Sequence, residues 1–193
     1  MPLTTYTAGE VLTAASLNAN LSFAASSPAG GLICVKAETA LSGASTTADG
    51  VFTSSYTNYR IVIRFTTSAA NLSMQLRAAT VNTTANYNFQ LIEASSTTVS
   101  GARTGPTSSA TIGDNSAGSF YSLAVLDLSG VQLAEPTVYN SLCTRNNGAY
   151  TATRTINLAG NQSDSTAFDG INFLVSSGTM SGSYTIYGYS KTV

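Results

Sequence analysis

Tyr59-Arg-Ile-Val-Ile-Arg-Phe65 alternates between apolar and charged side chains at nearly every step. That period of two is the strongest constraint in the chain. In an extended strand successive side chains point to opposite faces, so Tyr59, Ile61, Ile63 and Phe65 share one face and Arg60 and Arg64 the other. Leu72-Ser-Met-Gln-Leu-Arg77 repeats the pattern with Leu72, Met74 and Leu76 inward, and Tyr87-Asn-Phe-Gln-Leu91 does so again. Together these runs predict an antiparallel meander with one core face and one solvated face.

The remainder of the chain after Pro28 extends this reading. Leu32 to Glu38 reads as a short mixed strand and the polar stretch Ser42 to Asp49 as a loop. Ser95 to Gly118, rich in Ser, Thr and Gly, reads as a long loop or a pair of weak edge strands. A loop of that length is a candidate recognition surface. Ser119 to Leu128 carries apolar residues on both faces, Phe120, Ala124 and Leu126 against Tyr121, Leu123 and Val125, and so predicts a strand buried on both sides. Thr137–Arg145 and Tyr150–Leu158 flank Asn146-Asn147-Gly148, and Asn-Gly between β-branched runs is a hairpin signal because the tight turn needs positive φ. Ile171–Val175 and Tyr184–Tyr189 close the chain, the last placing Tyr184, Ile186 and Gly188 opposite Thr185, Tyr187 and Tyr189. Many short strands separated by turn residues predict a mainly β fold, an antiparallel β-sandwich of jelly-roll type.

One stretch near the start departs from this pattern. Thr13 is a good N-cap, Leu12 and Leu17 fit a hydrophobic staple, and Ala14, Leu17, Leu21 and Ala24 recur at helical spacing. The expectation is one short N-terminal helix ahead of the sandwich. Ser26-Ser27-Pro28-Ala29-Gly30-Gly31 then divides the chain into a segment 1–27, a hinge 28–31 and a β domain 32–193. A helix this short takes its stability from packing. Leu12, Leu17 and Leu21 are therefore assigned to another subunit or an attachment partner, as oligomerisation or attachment residues.

Composition limits the chemistry. Charged residues make up 9% of the chain, against about 25% in ordinary soluble domains. With a formal net charge of −1, little long-range repulsion keeps copies apart. Lys36 and Lys191 lie far apart and the arginines are scattered, so the clustered cations that nucleic acid requires are missing. No run reaches the length of a membrane span, and no basic and apolar leader is recognisable at the start. The chain has no histidine, which removes the commonest base near neutral pH and any Ser-His-Asp arrangement. No two acids form a recognisable pair for glycoside cleavage. Asp164 and Asp169 read as turn residues, and Asp127, inside an apolar strand, as the partner of Arg60 or Arg64. Gly101-Ala-Arg-Thr-Gly105 lacks the lysine and helix of a phosphate loop. Cys34 and Cys143 read as core thiols, and without histidine they make no metal site. The expectation is a non-enzymatic protein with no cofactor and no metal. Ten tyrosines and no tryptophan supply amphipathic rings suited to recognition, and Tyr87, Tyr121, Tyr150 and Tyr187 are the candidate receptor contacts.

Thr7-Ala-Gly-Glu-Val-Leu-Thr-Ala-Ala-Ser-Leu-Asn-Ala-Asn20 resembles a segment that recurs at the start of bacteriophage tail-fibre and other virion structural proteins. Asp169 to Tyr189 resembles the closing hairpin of small phage β-sandwich proteins, and Phe52 to Ile63 their turn running into a strand. The resemblance implies a virion component assembled in the host cytoplasm. It implies a homotrimer attached to other virion proteins through residues 1–27, with the β domain facing a host-surface glycan or protein. A tail-fibre or host-recognition component is the first expectation; capsid decoration, cement or a head fibre is the alternative.

Overall fold

The computed structural model describes residues 31–114, 120–146 and 153–191, together with Thr13 and Ala15. The expected helix, with Leu12, Leu17 and Leu21, lies outside the described residues, as does Tyr150.

Thirteen strands are formed among the described residues. In chain order they are β1 (Leu32–Gly43), β2 (Ser45–Ala48), β3 (Asn58–Thr67), β4 (Leu72–Ala78), β5 (Val81–Asn82), β6 (Tyr87–Ser95) and β7 (Thr98–Thr107). There follow β8 (Ala110–Gly113), β9 (Ser122–Ser129), β10 (Thr137–Asn146), β11 (Thr153–Gln162), β12 (Gly170–Val175) and β13 (Met180–Tyr189). Eight make a large sheet in the order β1-β13-β3-β9-β10-β11-β6-β7. The other five make a small sheet in which β4 sits between β12 and the short β5 and β8, with β2 at the far side of β12. Every pairing is antiparallel.

The mainly β, antiparallel expectation therefore holds, and the two sheets share one apolar core in a sandwich-like arrangement. Tyr59, Ile61, Ile63 and Phe65 are all fully buried, as their alternation requires. Opposite them the small sheet contributes Leu72, Met74 and Leu76 of β4 and Ile171 and Phe173 of β12. Some polar groups inside this core are satisfied by reaching across it, whereas the buried Ser122 and Thr137 hydroxyls make no hydrogen bond among the described residues. The Tyr87 hydroxyl accepts from the Leu76 N–H at 2.7 Å and donates to the Thr83 carbonyl at 3.2 Å. Ser141 Oγ donates to the Ile112 carbonyl at 2.5 Å. Such bonds hold the sheets in one register, because an unpaired buried polar group would cost about 1–3 kcal/mol.

Four sequence expectations are corrected. The three alternating runs do not form a meander: β3 and β6 belong to the large sheet and β4 to the small one. The outward face of β4 is also less solvated than alternation implies. Gln75 Nε2 donates to the Ser108 carbonyl and Arg77 to Asp49, and both side chains are buried. Ser42 to Asp49 is no loop but the end of β1 and the whole of β2, anchored by buried Leu41 and Ala48. Of the two readings of Ser95 to Gly118, the pair of strands is the one found, β7 at the free edge of the large sheet and β8 paired with β4. Finally, β9 is buried on one face only: Ala124, Leu126 and Leu128 point into the core, whereas Leu123 is exposed and Val125 half-buried. β10 and β11 pair antiparallel as the hairpin reading requires, with Asn146 opposite Thr153, and the expected Asn147-Gly148 turn lies outside the described residues.

Candidate functional site

The outward face of the large sheet carries the most distinctive surface of the molecule. Register places side chains in rows running across the strands. Arg60, Asp127, Asn140, Ala159, Gln90 and Arg103 are successive cross-strand partners on β3, β9, β10, β11, β6 and β7. Because neighbouring strands are about 4.8 Å apart, this row brings together residues that lie far apart in sequence.

The row is concave. A trough of about 400 Å³ is lined by Asn58, Asp127, Ser129, Val138, Asn140 and Tyr189, with the Ala159 methyl at its end. A second hollow of about 500 Å³ begins at Ala159 and continues past Gln90, Ile92, Gly101, Arg103 and Asn157. The small side chains of Ala159 and Gly101 keep the floor low between bulkier neighbours. Gly160, next to Ala159 but facing inward, is required by close packing. A Cβ there would stand 2.1 Å from the Asn88 carbonyl oxygen and 2.6 Å from the Tyr139 hydroxyl.

Asp127 is the fixed point of the trough. Arg60 grips its carboxylate with both ends of the guanidinium, Nε to Oδ1 at 2.8 Å and Nη2 to Oδ2 at 2.7 Å, the bidentate geometry that gives direction as well as strength. The Tyr189 hydroxyl donates to Asp127 Oδ1 at 3.3 Å, and the Arg60 guanidinium lies 5.8 Å from the Tyr189 ring centre. The hydrogen bond to Asp127 raises the Arg60 pKa and so holds the guanidinium charged. Burial first, and then the Asp127 charge, pushes the Tyr189 phenol up, keeping it a donor. A carboxylate has about four lone-pair sites; these three bonds leave about one unused on a residue that lines the trough. The amides of Asn58, Asn140 and Gln90 make no side-chain hydrogen bond among the described residues. What the trough offers is an oriented carboxylate, free amides that both donate and accept, and the flat surfaces of Tyr189 and Val138.

The sequence-derived candidates are dispersed. Tyr87 is fully buried between the sheets and presents no surface. Tyr187 is half-buried on the outward face of β13, directly opposite Arg60 and one row position from the trough. Tyr121 is exposed and covered by the Arg64 guanidinium, 3.4 Å from its ring centre. Asp127 pairs with Arg60, one of the two partners expected for it. Asp164 is a turn residue accepting from Asn86 at 2.7 Å. Cys143 is buried as expected; Cys34 is not a core thiol but is exposed, and both are free. Burial pushes the Cys143 thiol up to about 11. The trough itself was not visible in the sequence. Only the oddity of Asp127 pointed to it, since the remaining members are joined by register alone.

Among the described residues no group of three His, Cys, Asp or Glu could hold a metal ion, and no helix is long and apolar enough to cross a membrane. Compared with protein-family models, with curated proteins and with solved structures, the chain matches none of them.

Proposed function

We propose that this chain is a non-enzymatic bacteriophage virion component, a tail-fibre or host-recognition protein whose β domain binds a host-surface glycan in the trough of its large sheet. The observation that carries the reading is the clamped Asp127 carboxylate set among free amides and a tyrosine ring. A saccharide presents adjacent hydroxyls that both donate and accept, together with apolar C–H faces. An oriented carboxylate and side-chain amides satisfy the first, and Tyr189 and Val138 the second. Sites of this kind orient a ligand by a few fixed polar groups within a largely apolar wall.

The strand pairing supports the same reading at the level of the fold. The first strand pairs with the last, β1 with β13; the next pair is β2 with β12, then β3 with β9, and innermost β4 with β8. Nested pairing of this kind is an antiparallel ribbon wound on itself, the jelly roll. The hairpin of β6 and β7 and the hairpin of β10 and β11 are additions that widen one sheet. Viral capsid and lectin domains use that winding, though a fold hosts many functions, so the weight rests on the trough. Residues 1–27, with Leu12, Leu17 and Leu21, are assigned to attachment to the virion and to trimer formation.

Binding of the purified full chain to a panel of bacterial surface glycans tests the reading. Saturable binding that weakens at least about tenfold in Asp127→Ala is expected, a loss of about 1.4 kcal/mol. No binding to any surface glycan, or binding indifferent to Asp127, would remove it.

A further inference from the structure

Beside the trough the same outward face changes character. One row further along the strands, Val62 of β3, Val125 of β9 and Leu142 of β10 are direct cross-strand neighbours, and Ile92 of β6 completes the row beyond Asn157 of β11. Leu123 lies in the row after that, opposite Arg64 and Thr144. Leu123 is 45% exposed, Leu142 49% and Ile92 60%. Scattered exposed aliphatics are ordinary; a contiguous set on one sheet face is the mark of an interaction site.

From this face we infer that the β domain associates with a second copy of this chain, through the aliphatic half of the large sheet's outward surface. Three observations select that occupant. The first is charge. On the outward face of β3, β9, β10, β11 and β6 the charged groups are Arg60 and Asp127, paired with each other, and Arg64, laid on Tyr121. Depletion of charge at the centre with a polar rim is how interfaces are built. A copy bringing the same uncharged surface meets no repulsion, and the whole chain carries a formal net charge of only −1.

The second is contiguity. Val62, Val125 and Leu142 are neighbours on three adjacent strands and Leu123 lies in the next row, so a partner meets one unbroken aliphatic surface and not scattered side chains. The third is shape. An aliphatic sheet face stacks on another at about 10 Å, and a face rich in Leu, Ile and Val matches itself, as the self-complementary contacts of closed oligomers require.

β9, which falls within the stretch that the sequence marks as buried on both sides, runs through the middle of this patch. Its outward residues Leu123 and Val125 would then be covered after all, by the partner and not by the chain's own fold. The association does not depend on the proposed virion role and leaves the trough at the rim of the contact.

Sedimentation velocity on the full chain at micromolar concentration, with and without Leu123→Glu plus Leu142→Glu, tests the inference. The wild-type chain should sediment as an oligomer and the double variant as a smaller species, no larger than the trimer assigned to residues 1–27, with an unchanged circular dichroism spectrum. Should the double variant fail to fold, Ile92→Lys, on a different strand and more exposed, takes its place with the same expected result. A monomeric wild-type chain overturns the inference. An oligomer insensitive to these substitutions also overturns it and moves the association to another surface such as residues 1–27, leaving the glycan-binding reading intact.

Discussion

Two halves of one sheet face differ in chemistry although the backbone beneath them is continuous. In the polar half each strand presents Asp127, Asn140, Ala159 or Gln90; two residues along the same strands the positions become Val125, Leu142, Asn157 and Ile92. The inward side chains on either side of that boundary, such as Leu126, Leu158 and Ile156, are buried, and the hydrogen-bonded Ser141 among them is polar. The core therefore sets the fold without distinguishing the halves, and the two proposed contacts would account for the difference on the outside. The polar half holds an oriented hydrogen-bonding site, and the aliphatic half holds a surface whose natural complement is another like itself.

Substitutions can break this division or sharpen it. The largest effect is expected on the inward side of β9, where Leu126→Ala removes a fully buried side chain and should cost about 2–5 kcal/mol in a urea melt. That value sets the scale for the outward face. Alkaline pH probes the same core. The Cys143 thiol has its pKa raised by burial from 9.0 to about 11, so its thiolate forms more easily in the unfolded chain. The contribution to stability is whole below pH 9.0 and is lost as pH rises through about 11. Burial raises the Tyr87 and Tyr139 phenols too, and acts in the same direction. Urea melts across that window should show stability falling with pH, and Cys143→Ala should flatten part of the slope.

Smaller effects separate the halves themselves. Ala159→Trp fills the low point between the two hollows; glycan affinity by calorimetry should fall about tenfold, or about 1.4 kcal/mol, with oligomeric state unchanged. Asp127→Ala should weaken glycan binding while changing the unfolding free energy by less than about 1 kcal/mol, since the ion pair it removes is partly exposed and worth little to the fold. The smallest effect belongs to Leu142→Ala in chain dilute enough to be monomeric. Outside the core it should shift stability by no more than about 0.5 kcal/mol. A cost near that of Leu126→Ala would mean that the aliphatic half is covered within the monomer.

Period-two alternation made the core legible: Tyr59, Ile61, Ile63 and Phe65, and likewise Tyr184 and Ile186, face inward as the pattern demands. What alternation cannot give is the neighbour of each strand, because pairing is decided across tens of residues. For that reason β3, β4 and β6 read as one meander although they are divided between two sheets. Ser42 to Asp49, which reads as a loop, forms β2, and Ser95 to Gly118, which reads as a long loop or a pair of weak edge strands, contains β7; both strands lie at sheet edges, where Ser, Thr and Gly suffice because one side needs no partner. The trough was hidden for the same reason as the topology. Asp127 drew notice as a charge in an apolar strand, whereas Asn140, Ala159 and Gln90 are unremarkable until register sets them side by side. The outward Leu123 and Val125 of β9 were legible but assigned to a core that does not cover them.

Hydroxyl-radical footprinting of the full chain at nanomolar and at micromolar concentration reads both halves in one experiment. As concentration rises, oxidation of Leu123, Leu142 and Ile92 should fall severalfold while Tyr189 and Val138, at the trough, stay reactive. Equal reactivity of all five side chains at both concentrations would contradict a face divided between self-association and ligand binding.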